Sequence, residues 1–174
     1  SRHDRTCRPL FSDAASAALI TSSKERTVGP FILGTDGSGY QDLIVKNSGT
    51  KKNTNIGRNL LHMNGSEVFM FTMRTVPKVV HNLLKNEKCN IEDIDLFVFH
   101  QASKLVIDNI KRLLKVSSEK VFENYHLVGN TVSSSIPIAL SQAKDKNIIK
   151  KGSVVMVVGF GVGLSWGATL IRHN

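Results

Sequence analysis

His100 follows a largely apolar run, Ile94 to Phe99, and precedes a segment of helical periodicity. In open α/β sheets ligands gather outside the C-terminal ends of strands, and an imidazole there can act near neutral pH. The same position also suits a side chain that caps the following helix or fills a polar corner. Asn130, between Gly129 and Thr131, carries an amide that can donate to an oxyanion. Gly-Asn is equally common turn chemistry. The stretch Gly159-Phe160-Gly161-Val162-Gly163 has the glycine density of a nucleotide-binding loop without its spacing. Counting G-x-G-x-x-G from Gly159 ends on Leu164, and from Gly161 on Trp166; a strand pattern follows where the fingerprint needs a helix. It reads as a hairpin-like turn that holds backbone N–H groups at a site. Gly34, Gly37 and Gly39 are not followed by Gly-Lys-Ser/Thr and form no P-loop. Ser133, Ser134 and Ser135 lack a G-x-S-x-G elbow. The separation of His100 and His126 predicts no metal site, and Glu92, Asp93 and Asp95 read as a solvated edge before a strand.

The elements that must position these residues follow from periodicity. Leu10 to Ile20 is small and apolar and predicts a turn leading into a buried strand, Ala15 to Thr21. Ser22 to Pro30 is polar, ends in Gly-Pro, and is the best linker candidate. Phe31 to Tyr40 predicts a short strand followed by glycine turns, and Gln41 to Arg58 a polar, loop-rich stretch. Asn64 and Glu67 have capping-box spacing, and Val68, Phe71, Thr72, Val76, Val79, Val80, Leu83 and Leu84 recur at helical spacing. Pro77 inside that pattern is expected to kink or split the helix. Ile94 to His100 predicts a buried strand. Ala102 to Val116 predicts an amphipathic helix with Leu105, Val106, Ile110, Leu113 and Leu114 inward. Ser133 to Lys146 predicts another helix, with Pro137 tolerated near its start. Val154 to Val158 and Ser165 to Arg172 predict strands around the glycine turn. The order implies an α/β fold: a mixed sheet with helices on both faces.

The chain of 174 residues is 41% hydrophobic and 21% charged, which is ordinary for a globular protein with a real core. Its longest apolar run, Ser153 to Phe160, is of strand length, so no membrane span is expected. The N-terminus has no apolar h-region and no initiator Met, and truncation is expected. Two cysteines, Cys7 and Cys89, make neither a disulfide framework nor a zinc cluster, which points to a reducing, cytoplasmic setting. The net charge of +9 leaves three readings open: solvated helix faces, attraction to an acidic partner or ligand phosphates, and nucleic-acid binding. Against the last, aromatic residues are only 6% and are not interleaved with basic runs.

In combination the motifs are specific. His100-Gln101-Ala102 after an apolar strand, His126 to Thr131, and Gly159 to Ala168 near the C-terminus resemble, in order and in register, the ketoacyl-acyl-carrier-protein synthase III family of the thiolase superfamily. Leu10 to Leu19 resembles the last stretch of that family's N-terminal half, and Asn64 to Phe69 the helix start at its acyl-CoA tunnel. The resemblance covers nearly the whole chain. It implies the C-terminal half of a five-layered α-β-α-β-α thiolase-like fold, with residues 1–25 as the end of the N-terminal half plus linker and 26–174 as the C-terminal domain. It implies a cytoplasmic homodimer in fatty-acid or related biosynthesis. Acyl-CoA and phosphopantetheine-linked acyl carrier protein would be partners and substrates, with no cofactor, no metal, no nucleic acid and no membrane.

The reaction implied is a decarboxylative condensation of an acyl group with malonyl carrier protein. His100 and Asn130 would donate to the malonyl thioester oxygen, and the turn Gly161, Val162, Gly163 would supply an oxyanion N–H. Gly65, Phe69, Ser103 and Lys104 would contact the substrate. Three departures stand out: Ser103 replaces the family's asparagine, Leu105 stands where a basic residue is frequent, and Val162 interrupts the glycine triplet. Neither Cys7 nor Cys89 matches the family's nucleophilic cysteine, so the chain alone is expected to be inactive. The face that meets the other half is expected to be exposed and prone to association. Two alternatives remain: an acyltransferase that does not decarboxylate, with His100 as base, and a non-catalytic module that binds acyl-CoA or a partner chain.

Overall fold

The computed structural model describes residues 4–46, 48 and 60–173. Most of the predicted loop after Tyr40 lies outside them. Strands β1 (Val28–Thr35), β2 (Leu43–Val45) and β3 (Leu61–Met63) precede a long helix, α1 (Gly65–Glu87). Strand β4 (Leu96–Phe99), helix α2 (Lys104–Leu114), the single turn α3 (Tyr125–Val128) and helix α4 (Ser135–Asp145) follow. Strands β5 (Val154–Gly161) and β6 (Ser165–Arg172) close the chain. The main sheet has the order β1-β6-β5-β4, with β4 and β5 parallel and the other pairs antiparallel. Strands β2 and β3 pair separately; the sequence reading had no strand in either place.

Alternation along β4 and β5 sorts the core into two layers, because successive side chains of a strand point to opposite faces. Phe97, Phe99, Met156 and Val158 pack with α1 (Val76, Val80, Leu83) and α2 (Ile107, Ile110, Leu114). Leu96, Val98 and Val155 pack on the other side against Ala139 and Ala143 of α4. The sheet therefore carries helices on both faces, as expected. All four residues of β4 are buried, the signature of a strand covered on both sides.

Several expectations need correction. Residues 12–23 form no strand and are exposed. After the single bridge Phe11↔Asn130 the segment meets no ladder partner among the described residues, and small side chains alone cannot bury it. The linker candidate is cut short by β1, which starts at Val28. Pro77 does not split α1, which runs unbroken through it. The lost hydrogen bond is outweighed by a continuous buried stripe, Phe71, Thr72, Val76, Val79, Val80, Leu83 and Leu84. The capping box at α1 is not formed: Asn64 makes no side-chain cap and donates instead to Asp42 Oδ1 at 3.1 Å. In α2 the inward residues are Ile107, Ile110 and Leu114, whereas Leu105 and Leu113 are exposed. Helix α2 starts at Lys104, two residues later than read, and Leu105 in its first turn faces a cavity instead of the core.

One ion cluster ties the ends of these elements together. Glu87, at the end of α1, accepts from Arg26 at 2.7 Å and from Arg172 of β6 at 2.6 Å. Burial raises its carboxyl pKa, but the two guanidinium hydrogen bonds outweigh that and hold it below the usual range.

Candidate active site

Strand β4 delivers His100 to the mouth of the sheet. Its backbone N–H donates to Val158 O at 2.8 Å, continuing the β4–β5 ladder one residue past the strand. Gln101 then turns the chain inward. It is fully buried; its Nε2 donates to Phe99 O (2.8 Å) and Phe122 O (3.2 Å), and its Oε1 accepts from Asn124 N (2.9 Å). These partners fix which end of the amide is which. Helix α2 is capped by Ser103, whose hydroxyl accepts from Val106 N. His100 therefore does not cap the helix and is left for another role.

The His100 ring is held on two sides. Nδ1 lies 2.7 Å from Ser135 Oγ, at the start of α4. The ring meets Phe160 of β5 edge to face, centroids 5.4 Å apart. Burial drives its pKa down to about 4, with hydrogen bonding to the Val132 backbone opposing the shift. The imidazole is therefore neutral at physiological pH. Because the folded pKa lies below the unfolded value of about 6.5, the unfolded chain binds the extra proton first. Stability is then expected to fall as pH drops from about 6.5 towards 4, by roughly 3 kcal/mol for this group. Urea midpoints measured across that range should drop less in His100→Gln than in the wild type.

Asn130 comes from the loop before α4. Its backbone N–H donates to Leu10 O (3.0 Å) and its carbonyl accepts from Ser12 N (3.0 Å). Its side-chain Oδ1 accepts from Val132 N at 2.9 Å, which fixes the amide orientation. Nδ2 makes only a long contact, 3.5 Å to Ala102 O, and so has a donor to spare. Gly129 (φ +68°) allows this turn: a Cβ there would lie 2.9 Å from Ser12 Oγ, and the φ is left-handed. Val132 also adopts a positive φ, 54°, a conformation costly for a β-branched residue, and it carries the N–H that orients Asn130.

His100 and Asn130 open onto one cavity of about 1080 Å³. Gly65 and Phe69 from the start of α1, Ser103, Gly161 and Val162 line it as well. The remaining wall is mostly apolar and includes Leu33, Met63, Phe160 and Trp166. Apolar walls with a few convergent polar groups are the usual make-up of a ligand site. Gly163 and Lys104 are not on the wall. Gly163 serves the turn, where a Cβ would meet Ser165 Oγ at 2.1 Å. Lys104 pairs on the surface with Asp108 at 2.5 Å. Among the described residues no group of histidine, cysteine, aspartate and glutamate could hold a metal ion, and no helix is long and apolar enough to cross a membrane. Cys7 and Cys89 lie off the cavity wall. Burial pushes both thiols up, with Asp4 adding to the shift at Cys7 and Asp93 at Cys89, so neither is an activated thiolate.

Sequence reasoning passed over Ser135 because three consecutive serines lacked a nucleophile elbow. A signal existed: Ser135, Ala139 and Ala143 recur every four residues and are all buried, so Ser135 belongs to the inward stripe of α4.

This arrangement sets a neutral imidazole and an amide with a spare N–H at the end of an apolar cavity. It can hold an anionic oxygen without itself gaining or losing a proton. The chain is also similar to known proteins. The family described as 3-oxoacyl-(acyl-carrier-protein) synthase III, C terminal, matches residues 84–173. The β-ketoacyl-(acyl-carrier-protein) synthase III of Clostridium novyi (strain NT) is 40% identical over 98% of this chain and 54% of its own length. A crystal structure of a 3-oxoacyl-(acyl-carrier-protein) synthase III superposes with a TM-score of 0.84 at 33% identity, over 95% of this chain and 54% of that one. The priming β-ketosynthase of the R1128 polyketide pathway superposes with a TM-score of 0.89 at 29% identity, over 98% and 52%. The chain thus spans about half the length of the curated relatives it matches.

Proposed function

The chain belongs to the 3-oxoacyl-(acyl-carrier-protein) synthase III C-terminal family, and from that premise we propose that it is the enolate-holding part of a decarboxylating acyltransferase. The observation that carries the reading is the convergence of His100 and Asn130 on one apolar cavity, with a neutral imidazole held between Ser135 and the Val132 backbone and an Asn130 amide whose Oδ1 is satisfied and whose Nδ2 is only loosely held.

In the proposed reaction a malonyl thioester lies in the cavity with its carbonyl oxygen towards the two donors. The bond to the carboxylate breaks, CO2 leaves, and the electron pair moves onto the α-carbon and the thioester oxygen. His100 and Asn130 hold the resulting enolate oxygen, a charge absent from the ground state, so their hydrogen bonds strengthen as the barrier is climbed. The α-carbon then attacks an acyl thioester, forms the new C–C bond and expels a thiolate. That thiolate is assigned to a cysteine outside this chain, in the remaining length of the relatives, because Cys7 and Cys89 are neither activated nor at the cavity. Gly65 and Phe69, near the start of α1 and on the cavity wall, would contact the pantetheine arm of acyl-CoA or acyl carrier protein. Val162 projects at the rim and would narrow the acyl end of the site.

Trp166 is the sole tryptophan and lines the cavity, 5.9 Å from Phe71, so it reports on occupancy. Titrating the chain with acetyl-CoA is expected to change its emission saturably, without any mass increase at Cys7 or Cys89. The complete enzyme should gain one acetyl group, at a cysteine outside this chain. Unchanged emission together with an unacylated complete enzyme would sink the reading, and acylation of Cys7 or Cys89 would overturn the placement of the nucleophile.

A further inference from the structure

A neutral imidazole carries one ring proton, and which nitrogen holds it decides whether His100 is a donor or a base towards the cavity. The hydroxyl of Ser135 settles the question by its own bonding. Ser135 is fully buried. Among the described residues its Oγ has two partners, His100 Nδ1 at 2.7 Å and the backbone N–H of Gln101 at 3.4 Å. The Gln101 N–H can only donate, so it occupies an acceptor site on the oxygen. The serine proton then has a single acceptor, Nδ1. Were Nδ1 protonated, a fully buried hydroxyl would receive two donors and its own proton would have no partner, the costly arrangement for a buried polar group.

We propose that Ser135 is a positioning residue that locks His100 as the Nε2–H tautomer, leaving the cavity a hydrogen-bond donor and not a base. The buried Gln101 amide network sets the direction of the relay: it fixes the backbone at Gln101, whose N–H fills the serine oxygen, whose proton fills Nδ1. The role assigned to the donor rests on the function proposed above; the tautomer itself does not. It also separates two chemistries. A base at His100 would suit acyl transfer to an alcohol or amine, whereas a locked donor suits an enolate.

Long-range proton–nitrogen correlation spectra of the 15N-labelled chain at neutral pH, with no thioester added, test this directly. The His100 signals are identified by their loss in His100→Gln. The wild type is expected to show Nε2 protonated and Nδ1 bare, with no second form. Ser135→Ala should show a mixture of both tautomers, and Ser135→Thr, which keeps the hydroxyl, should restore the single form. A wild-type ring protonated on Nδ1 overturns the proposal even if neither variant folds. So does a folded Ser135→Ala whose ring stays wholly in the Nε2–H form. A locked tautomer in a chain that fails the acetyl-CoA titration would leave the lock standing and remove the condensing reading.

Discussion

Replacing His100 by alanine in the complete enzyme is expected to slow decarboxylative condensation by about 10²–10³-fold, the usual effect of removing one donor from a preorganised oxyanion site. Asn130→Ala should cost a similar factor. In the proposed reaction the acyl thioester is formed before the enolate attacks it, so acylation of the nucleophile should continue in both variants. Release of CO2 from malonyl carrier protein therefore collapses while intact-mass analysis still shows the acyl-enzyme. The combination separates an enolate role from a base role. If His100 activated a nucleophile or deprotonated an acceptor, its loss would block a different step, and CO2 release would not be the property that fell. The pH profile adds a second readout. With the imidazole pKa near 4, no limb belonging to His100 is expected between pH 5 and 8. A limb near pH 6.5 that disappears in His100→Gln would refute the neutral-donor assignment.

The largest stability effect is expected at Gln101. Gln101→Leu removes a side chain of similar size that satisfies Phe99 O, Phe122 O and Asn124 N in the interior. At about 1–3 kcal/mol for each backbone group left without a partner, the sum is on the order of 3–5 kcal/mol after relaxation. That is a large share of the stability of an ordinary domain, about 5–15 kcal/mol. Urea unfolding should show a much lower midpoint with an unchanged slope. A loss under about 1 kcal/mol would mean that water enters to replace the amide.

Periodicity disclosed the strands that build the main sheet and the three long helices. It also disclosed His100, which stands where a buried apolar strand must end. Asn130 was readable only beside the other motifs, since Gly-Asn by itself is turn chemistry. Residues 12–23 misled because apolar composition reports that a segment wants burial without reporting where its partner strand lies. Leu105 was taken as core by its spacing, but it lines the cavity: a hydrophobic residue that faces a ligand site is written in the same alphabet as one that faces the interior. Ser135 was hidden because its importance is relational. A hydroxyl on a helix becomes chemistry only when the fold sets it against Nδ1.

Strand β4 has one more consequence. Its four residues are all buried and all apolar, two facing each layer, so the strand carries almost no record of its own phase. That record is kept at its ends. Asp95 Oδ2 accepts from Val154 N at 2.7 Å at one end, and His100 N donates to Val158 O at the other. Between these punctuation marks, exchanges such as Val for Ile leave the message intact. A single residue inserted there would be nearly invisible to hydropathy, yet it would invert the side chains beyond it and turn the imidazole away from the cavity. The strand is thus tolerant of spelling and intolerant of frame.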